Sequence, residues 1–577
     1  MKKSKIALIV AATLFAGSAM AASSGNNADV QQTGSTNNAL VTQVAFSNDN
    51  NAEITQTGNG NEASTTQART SNTQAKTTQV GNNNKGTIVQ RDATSTSTAT
   101  IDTRGDSNTA TITQKFFNQQ SAAAAINQDG NSNTATVTQN NADNANSTIN
   151  QNGSGDLAEI DNYASDFADA TINQSIGGGN DAKISQIYSD SVSATLTQEG
   201  SGNLGRITQD TDNFGNTPGS DDSVATLTQV GNGNNGAITQ KAKHNNASAV
   251  QTGDDNIVTV LQEGEGNNAA TEQTGDFNRA DVTQSGTGAT AGVRQTGDSN
   301  QATVSQGGDA NNADVEQNGN SHMATVTQDG SSNTAKVLQN GTGNEAMVNQ
   351  GAAGNNADVN QGGSGNYASV DQSAGTGTGG NDANVSQQGQ NDRATVAQVG
   401  TTNSTVVRQG ANSHDNTISI NQSGTDNYAG AATQLGGNST ITIDQEGDRN
   451  RVANSPYASN YYGSDIGAGT YGANNSLKIA QTGDDNQAYA DASHDSSSVD
   501  IVQTGEFNVA AVESWLGQNN DLDVKQVGDH HLADVYVRGG SNNVVTVTQY
   551  DSHNSATVTS LGSNNMAIVN QGTPSSN

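Results

Sequence analysis

Residues 311–321 read Asn-Asn-Ala-Asp-Val-Glu-Gln-Asn-Gly-Asn-Ser, and this eleven-residue unit recurs along most of the chain. From Gln229 to Gln372 a glutamine occurs every eleven residues, in fourteen consecutive units. Twelve of these units have an aliphatic residue two positions before the glutamine, and twelve have Ala four before it. Eleven have Asn six before the glutamine, and eleven have Gly two after it. A pattern held over so many units identifies a repeat protein.

The unit predicts a short β-strand followed by a corner. Asn, Ala, Val and Gln of the unit share one parity, so on a strand they point to one face, while Thr, Asp, Ser, Lys and Glu occupy the other. The Gly then permits a tight turn. A helical supercoil can also have an eleven-residue period, but a Gly in every unit would cost a helix about 1 kcal/mol each. The sequence therefore predicts an all-β protein.

Two units folded back on each other would form a rung of about 22 residues. Stacking such rungs about 4.8 Å apart predicts a long β-solenoid. The inward amides would lose about 1–3 kcal/mol each if left unpaired, so we expect them to bond to the next rung in ladders along the stack. The predicted ladder residues are Gln229, Gln240, Gln251, Gln262, Gln273, Gln284, Gln295, Gln306, Gln317, Gln328, Gln339, Gln350, Gln361, Gln372, Asn300, Asn311, Asn333, Asn344, Asn355 and Asn366.

The 22-residue rung also predicts which outward charges stack. One position before the glutamine, it aligns Glu272, Arg294 and Glu316. A second column, three positions before the glutamine, consists of Asp314, Lys336 and Asp358. Each column places one cation between two carboxylates, which would attract by up to about 1 kcal/mol per pair in water.

The chain begins with a predicted secretory signal peptide, residues 1–21. Three lysines precede an apolar run, and the small residues before Ala21 and Ala22 predict cleavage between those two. The apolar run is too short to span a membrane. The predicted organisation continues with repeats at 22–447, a Tyr- and Gly-rich irregular insertion at 448–475, and repeats again at 476–577. Within this insertion a side loop packed on the solenoid is favoured over a hinge.

Composition and motifs argue against several classes of function. The net charge of −33 argues against nucleic acid as a partner, and the chain has no cysteine. Its seven histidines are scattered, and neither a His-Glu-x-x-His motif nor another catalytic constellation occurs. His322 stands at an Asn position of the repeat, and the pair His530 and His531 is typical of a solvated corner. We therefore expect neither an enzyme nor a bound cofactor or metal.

The unit Asn-x-Ala-x-Val-x-Gln-x-Gly resembles the curlin repeat of curli, the extracellular amyloid fibres of bacterial biofilms. The resemblance covers nearly the whole chain after residue 21. It implies a β-solenoid with stacked inward Asn and Gln, export through an outer-membrane pore, and nucleated growth outside the cell. Carried over by position, the inward residues include Gln317 with Asn311 and Gln339 with Asn333. Familiar curlin subunits combine two unlike half-rungs, whereas nearly every half-rung here is of the Asn-Ala-Val-Gln type. Those subunits also carry a Gly- and Asn-rich export segment before the first repeat, for which residues 22–25 leave no room.

These observations predict an exported structural subunit that assembles into curli-like fibres for matrix formation, adhesion and cell aggregation. The motif occupies both Asn26 and Gln571, so no cap is expected at either end. Expected partners are further copies of the chain, a nucleator subunit, an export pore, and abiotic or host surfaces. One alternative is a surface adhesin with the same fold that never polymerises. A weaker alternative is an ice-binding solenoid, which needs a flat array of Thr-x-Thr pairs such as the one that Thr325 and Thr327 form within one rung.

Overall fold

The computed structural model describes residues 24–44, 46–93, 96–115, 121–210, 221–373, 379–454, 462 and 464–574. The predicted signal peptide and its cleavage site at Ala21 and Ala22 lie outside the described residues. The chain divides into two compact units, Met1–Gly288 and Ala289–Asn577. Within each unit the described residues form strands joined by corners, without a helix. In each unit, face A is the stack that contains the unit's first strand, and face B is the other stack.

In the first unit the strands alternate along the chain between two parallel stacks. Face A consists of Asn27–Thr33, Asn51–Thr57, Gln74–Val80, Thr98–Arg104, Ala123–Asn131, Asn146–Ser154, Asp169–Gly178, Ser193–Ser201, Val224–Val230, Asn246–Thr252 and Asn268–Thr274. Face B consists of Asn38–Val44, Glu62–Ala68, Lys85–Arg91, Thr109–Lys115, Thr134–Asn140, Leu157–Tyr163, Asp181–Ile187, Leu204–Asp210, Asn235–Gln240, Ile257–Gln262 and Arg279–Gln284.

The second unit has the same construction. Its face A consists of Thr290–Thr296, Asn312–Asn320, Thr334–Thr342, Asn356–Gln361, Asp382–Gln387, Ser404–His414, Tyr428–Gly437, Arg451–Val452, Ala468–Tyr471, Gln487–Ser493, Val509–Trp515, Leu532–Arg538 and Ser555–Leu561. Its face B consists of Gln301–Gln306, Met323–Gln328, Glu345–Gln350, Tyr367–Gln372, Arg393–Thr401, Thr417–Thr425, Thr440–Glu446, Ser476–Thr482, Ser498–Thr504, Asp521–Asp529, Val544–Ser552 and Met566–Gln571.

Successive strands of a face pair parallel and in register, so equivalent residues of neighbouring rungs stack. In the second unit Ala302 pairs with Ala324, and Val304 pairs with Val326. Each of these partners is 22 residues away, which confirms the predicted β-solenoid of two-strand rungs. Elsewhere the corners absorb additional residues. Gln67 bonds to Gln90 across 23 residues, for example, without loss of register.

The interior is thin because it contains small aliphatic side chains in alternation with amides. Ala313 and Val315 are 1% and 0% exposed, and the outward Asp314 between them lies in solvent. Burying one valine contributes about 1.5 kcal/mol or more. Such a core supplies little apolar area per rung, so the bonds of its buried amides are decisive.

Candidate functional site: the axial amide ladders

The inward glutamines bond to one another along the stacking direction. In the second unit Gln295 Nε2 donates to Gln317 Oε1 at 2.8 Å, and Gln317 Nε2 donates to Gln339 Oε1 at 2.8 Å. The other N–H of Gln317 donates to the carbonyl oxygen of Gln301 on the opposite face, at 2.9 Å. Each such amide has partners in both neighbouring rungs and in the facing strand. These hydrogen bonds offset the free-energy penalty of burying a polar amide.

All fourteen glutamines of the regular stretch are buried with 0% exposure. Among these fourteen glutamines, four ladder bonds lie within the first unit: Gln229 to Gln251, Gln251 to Gln273, Gln240 to Gln262, and Gln262 to Gln284. In the second unit the remaining bonds are Gln339 to Gln361, Gln306 to Gln328, Gln328 to Gln350 and Gln350 to Gln372.

The inward asparagines bond mainly to backbone groups of the next rung, and some also bond amide to amide, as Asn427 Nδ2 does to Asn403 Oδ1 at 3.1 Å. Asn311 Oδ1 accepts the backbone N–H of Asn333 at 2.9 Å, and Asn311 Nδ2 donates to the carbonyl oxygen of Gly330 at 2.7 Å. The asparagine lies where a corner meets a strand, so its short side chain reaches main-chain groups of the next rung. Its bonds therefore hold the corner in place, whereas the glutamine holds the strand end.

The six predicted asparagines are all buried, and each bonds to another rung. Three of them accept, through Oδ1, the backbone N–H of the equivalent residue one rung later: Asn300 from His322, Asn333 from Asn355, and Asn344 from Asn366. Asn355 Nδ2 donates to the carbonyl oxygen of Gln372, and Asn366 Nδ2 donates to that of Gly389.

His322 takes the place of an asparagine with the same bonding pattern. Its Nδ1 lies 3.2 Å from the backbone nitrogen of Asn344, from which it accepts, and its Nε2 lies 3.3 Å from the carbonyl oxygen of Asn318. These contacts fit the neutral ring with the proton on Nε2. Burial lowers the pKa of His322, which favours this uncharged form.

The two faces of the second unit differ in how far their glutamines extend. On face B the ladder continues to Gln571, which accepts from Gln549 at 2.8 Å. On face A the last bond joins Gln387 to Gln409, and the next rung has Thr433 at the glutamine position. Sequence reasoning missed this asymmetry. Its signal was a spacing of 22 or 23 rather than eleven residues between the repeat glutamines after Gln481.

The first unit contains two interruptions of its ladders. On face A, Thr103 pairs in register with Gln79 and with Gln128. A threonine is too short to bridge the gap, and Gln128 Oε1 and Thr103 Oγ1 have no hydrogen-bond partner among the described residues. On face B, Asn162 occupies the equivalent position, and its Oδ1 also lacks such a partner. These rungs are held by fewer side-chain bonds than their neighbours.

The outward charges stack one rung apart on the strands where they occur. Arg294 pairs in register with Glu316. In the second column Asp314 pairs with Lys336, and Lys336 pairs with Asp358. No ion pair within 4.0 Å joins the described side chains of this second column. Glu272 belongs to the first unit, where it pairs in register with Val250.

Equivalent columns in the first unit do form ion pairs. Lys183 Nζ lies 3.1 Å from Glu159 Oε1, with both residues at the third position of neighbouring face-B strands. Both side chains are partly exposed, so each pair contributes at most about 1 kcal/mol.

The predicted irregular segment of the second unit interrupts a single face-A strand. Val452 pairs with Ala429, and Ala468 pairs with Ala431 in the same strand, so the chain leaves this face after Val452 and rejoins it at Ala468. The described part of this excursion packs on the outside of face A. Tyr462 and Ile466 bury themselves against Ala432.

Two glycines leave room for this excursion on face A, and an ion pair joins the excursion to that face. A Cβ on Gly469 would lie 2.0 Å from the Tyr462 ring, and one on Gly430 would lie 1.9 Å from the carbonyl oxygen of Asp465. The Asp465 carboxylate pairs with Arg408. The surface beneath the excursion therefore lacks the side chains that would block it.

A buried acid lies beneath the excursion. Asp491 is 0% exposed, and its Oδ1 accepts from the Tyr462 hydroxyl at 3.1 Å. Its Oδ2 has no hydrogen-bond partner among the described residues. The neighbouring rung places Glu513, 4% exposed, in register with Asp491. Burial, reinforced by Glu513, raises the pKa of Asp491 to about 8.

Replacing Gln317 with leucine is expected to destabilise the second unit by about 1–3 kcal/mol, although leucine is the more apolar residue. The change removes the partners of Gln295 Nε2 and Gln339 Oε1 and leaves them buried without that hydrogen bond. Leucine at the outward Glu316 should change stability by less than about 0.5 kcal/mol. Urea unfolding of the two variants measures the difference. Equal stabilities would show that the ladder bonds contribute nothing.

The described residues contain no group of three or more His, Cys, Asp or Glu that could hold a metal ion. The same part of the chain has no helix long and apolar enough to cross a bilayer. The fold and the ladders thus define the class of protein, a repeat β-solenoid held together by axial hydrogen bonds. At an exposed rung of such a protein, the same backbone and amide groups that bond to the neighbouring rung in the interior face outward.

Comparison with protein families identifies the class more closely. The family model of the curlin associated repeat matches nine segments: 24–58, 105–140, 221–253, 253–286, 297–330, 330–363, 414–447, 495–528 and 517–550. Together they cover about half of the chain. Comparison with curated proteins finds no match. The chain belongs to the curlin-repeat family, a structural and non-enzymatic kind of protein.

Proposed function

We propose that this chain is an exported structural subunit that assembles end to end into curli-like amyloid fibres of an extracellular matrix. The observation that carries the proposal is the stack of parallel, in-register rungs, whose outermost members are less buried than the rest. At the last rung Ala567, Val569 and Gln571 are partly exposed. One rung inward, the equivalent Val545 and Val547 are 1% and 0% exposed.

The first described rung has the same property. Val30, Gln32 and Val41 are partly exposed there, while Ile54 and Gln56 in the next rung are fully buried. An exposed parallel edge offers unpaired backbone groups to a similar edge. Another copy of the chain carries the matching pattern, so stacking would extend both backbone pairing and amide ladders, as in cross-β assemblies.

Export and matrix roles follow from the predicted signal peptide and from family membership. The subunit would cross the inner membrane with residues 1–21 as its signal, leave through an outer-membrane pore, and grow on a nucleator subunit. The acidic composition, with a net charge of −33, would keep single copies dispersed before assembly. Adhesion to abiotic or host surfaces and cell aggregation would be properties of the fibre, and no catalysis is proposed.

The test is assembly of the purified chain lacking residues 1–21. It should form fibres that bind amyloid dyes and give a fibre-diffraction reflection near 4.8 Å along the fibre axis. Sonicated fibres of the same chain should shorten the lag, and equal amounts of fibres from an unrelated amyloid should not. A sample that stays monomeric for days at high concentration with its own seeds would favour the alternative, a surface adhesin with this fold that does not polymerise.

A further inference from the structure

Face B of the first unit carries outward hydroxyl groups on four consecutive rungs. The strands of these rungs are Glu62–Ala68, Lys85–Arg91, Thr109–Lys115 and Thr134–Asn140. The third and fifth residues of each strand point outward and are partly exposed. Seven of these eight residues are Ser or Thr and form the hydroxyl grid: Ser64, Thr66, Thr87, Thr111, Thr113, Thr136 and Thr138. The eighth is Val89, which has the methyl groups without the hydroxyl.

The grid is regular because the four strands pair in register. Thr111 pairs with Thr87 in the rung before it and with Thr136 in the rung after it, and Thr113 pairs with Thr138. Neighbouring strands lie about 4.8 Å apart and alternate residues of one strand about 6.6 Å apart, so the grid repeats in two directions. Threonine is stiff at χ1, which keeps its hydroxyl and methyl groups in defined positions.

The hydroxyl groups of the grid are available to solvent. None of the seven hydrogen-bonds through its side chain to another described residue. Outward amides on face A differ in this respect, because Asn127 Nδ2 donates to Asn150 Oδ1 and Asn150 Nδ2 donates to Asn173 Oδ1, both at 2.8 Å. A hydroxyl donates one hydrogen bond and accepts two. A fixed grid of such groups can therefore replace one layer of a hydrogen-bonded water lattice.

The grid is also uncharged in a chain whose net charge is −33. On the opposite face the outward third positions of two rungs at the same level hold Glu53 and Lys76. The next rung of face B after the grid has Glu159 and Asp161 at these positions. The four strands of the grid have no aromatic residue on which a sugar ring could stack. An uncharged array of hydroxyl and methyl groups thus suits ordered water better than an ionic ligand or a polysaccharide.

We infer that the hydroxyl grid on face B of the first unit binds the surface of ice. The ligand is water in a crystal lattice, held by the hydroxyl groups and packed against the threonine methyl groups. This activity goes beyond the proposed structural role and does not depend on it, because the grid lies on one face of the solenoid and uses neither end rung. A single copy and a copy within a fibre both present it.

Tyrosine substitutions test the grid without adding charge. Thr113→Tyr with Thr138→Tyr raises two bulky side chains from neighbouring rungs of the flat array. Tyrosine suits a strand, so the fold should be retained. The matched control is Thr55→Tyr with Thr78→Tyr, which makes the same change at fifth positions of neighbouring face-A rungs.

Partition into slowly grown ice measures binding, and the growth of ice grains in a frozen sucrose film measures its effect. The samples are freshly purified chains that lack residues 1–21. The wild type and the face-A control should enter the ice and suppress grain growth. The grid variant should remain in the liquid, and its grains should coarsen as they do in buffer.

Two results would overturn the inference: exclusion of the wild type from ice, or equal partition of the two variants. Binding to insoluble cellulose that only the grid variant loses, without partition of the wild type into ice, would replace ice with a polysaccharide as the ligand. A chain that binds ice and never forms fibres would remove the proposed function and leave this inference standing.

Folding of the variants is checked by far-UV circular dichroism and by the thermal midpoint, which should match those of the wild type. If the tyrosine variant is unfolded, Thr113→Lys with Thr138→Lys takes its place, with Thr55→Lys and Thr78→Lys as the control. A lysine ammonium is strongly hydrated and would disrupt a water lattice at the grid. The same difference between the grid variant and its control is expected.

Discussion

Replacing Gly319 with alanine is expected to destabilise the second unit by about 4 kcal/mol or more. Gly319 lies near the end of the face-A strand Asn312–Asn320 and has φ +130°, a conformation that a residue with a side chain rarely adopts. A Cβ at this position would also lie 2.0 Å from the carbonyl oxygen of Gly341 in the next rung. That oxygen belongs to the backbone, so relief requires the corner of one rung to move away from its neighbour.

Gly292→Ala provides the matched control. Gly292 lies within the strand Thr290–Thr296, and the nearest atom to a Cβ there is Asp314 Oδ1 at 3.4 Å. Alanine should be neutral or stabilise by up to about 1 kcal/mol, since it restricts the unfolded chain. Thermal unfolding of both variants measures the difference. Similar midpoints for the two would mean that the rungs tolerate wider spacing at the corners than the geometry indicates.

Replacing Asp491 with asparagine is expected to stabilise the second unit, and increasingly so as the pH rises. The pKa of Asp491 is raised from 3.8 to about 8 because its carboxyl is buried and faces Glu513. In the unfolded chain the group loses its proton near pH 4, whereas the folded chain retains it to about pH 8. The stability of the wild-type unit should therefore fall between these values. The variant does not titrate at this position and should not show that fall.

The gain should approach an upper limit of about 5 kcal/mol above pH 8, from a shift of about four pKa units. Unfolding midpoints of the variant and the wild type at pH 5, 7 and 9 measure it. Asp314→Asn makes the same chemical change at an exposed outward position and should alter the midpoint little at any of the three. A difference between Asp491→Asn and wild type that does not grow with pH would show that the carboxyl is ionised in the folded unit.

The regular part of the fold could be predicted because the eleven-residue unit specifies which side chains face inward. Ala313, Val315 and Gln317 share one parity, and the structure buries all three. The bonds of the asparagines could not be predicted in the same way. Asn311 bonds to the backbone of Asn333 because the corner turns there, and the path of a corner depends on small residues without a strict pattern.

The environment of Asp491 was beyond sequence reasoning for a different reason. Tyr489, Asp491 and Glu513 occupy the parity that faces solvent in every regular rung, and their burial depends on the excursion that returns across them. The sequence marked residues 448–475 as irregular. The strand positions that its described residues cover depend on the three-dimensional path of the chain, because Tyr462 and Asp465 lie where Gly469 and Gly430 leave space.

The in-register pairing of rungs also bears on how such a gene can change. The strands Asn312–Asn320, Thr334–Thr342 and Asn356–Gln361 all present one set of groups to the rung before and the complementary set to the rung after. Removing or duplicating the codons for one 22-residue rung would join Asn to Asn and Gln to Gln, with no partner lost. Unequal recombination between repeats could therefore lengthen or shorten the protein in whole rungs while each product still folds. Inherited variants of the gene could therefore differ in the number of rungs while the fold stays the same.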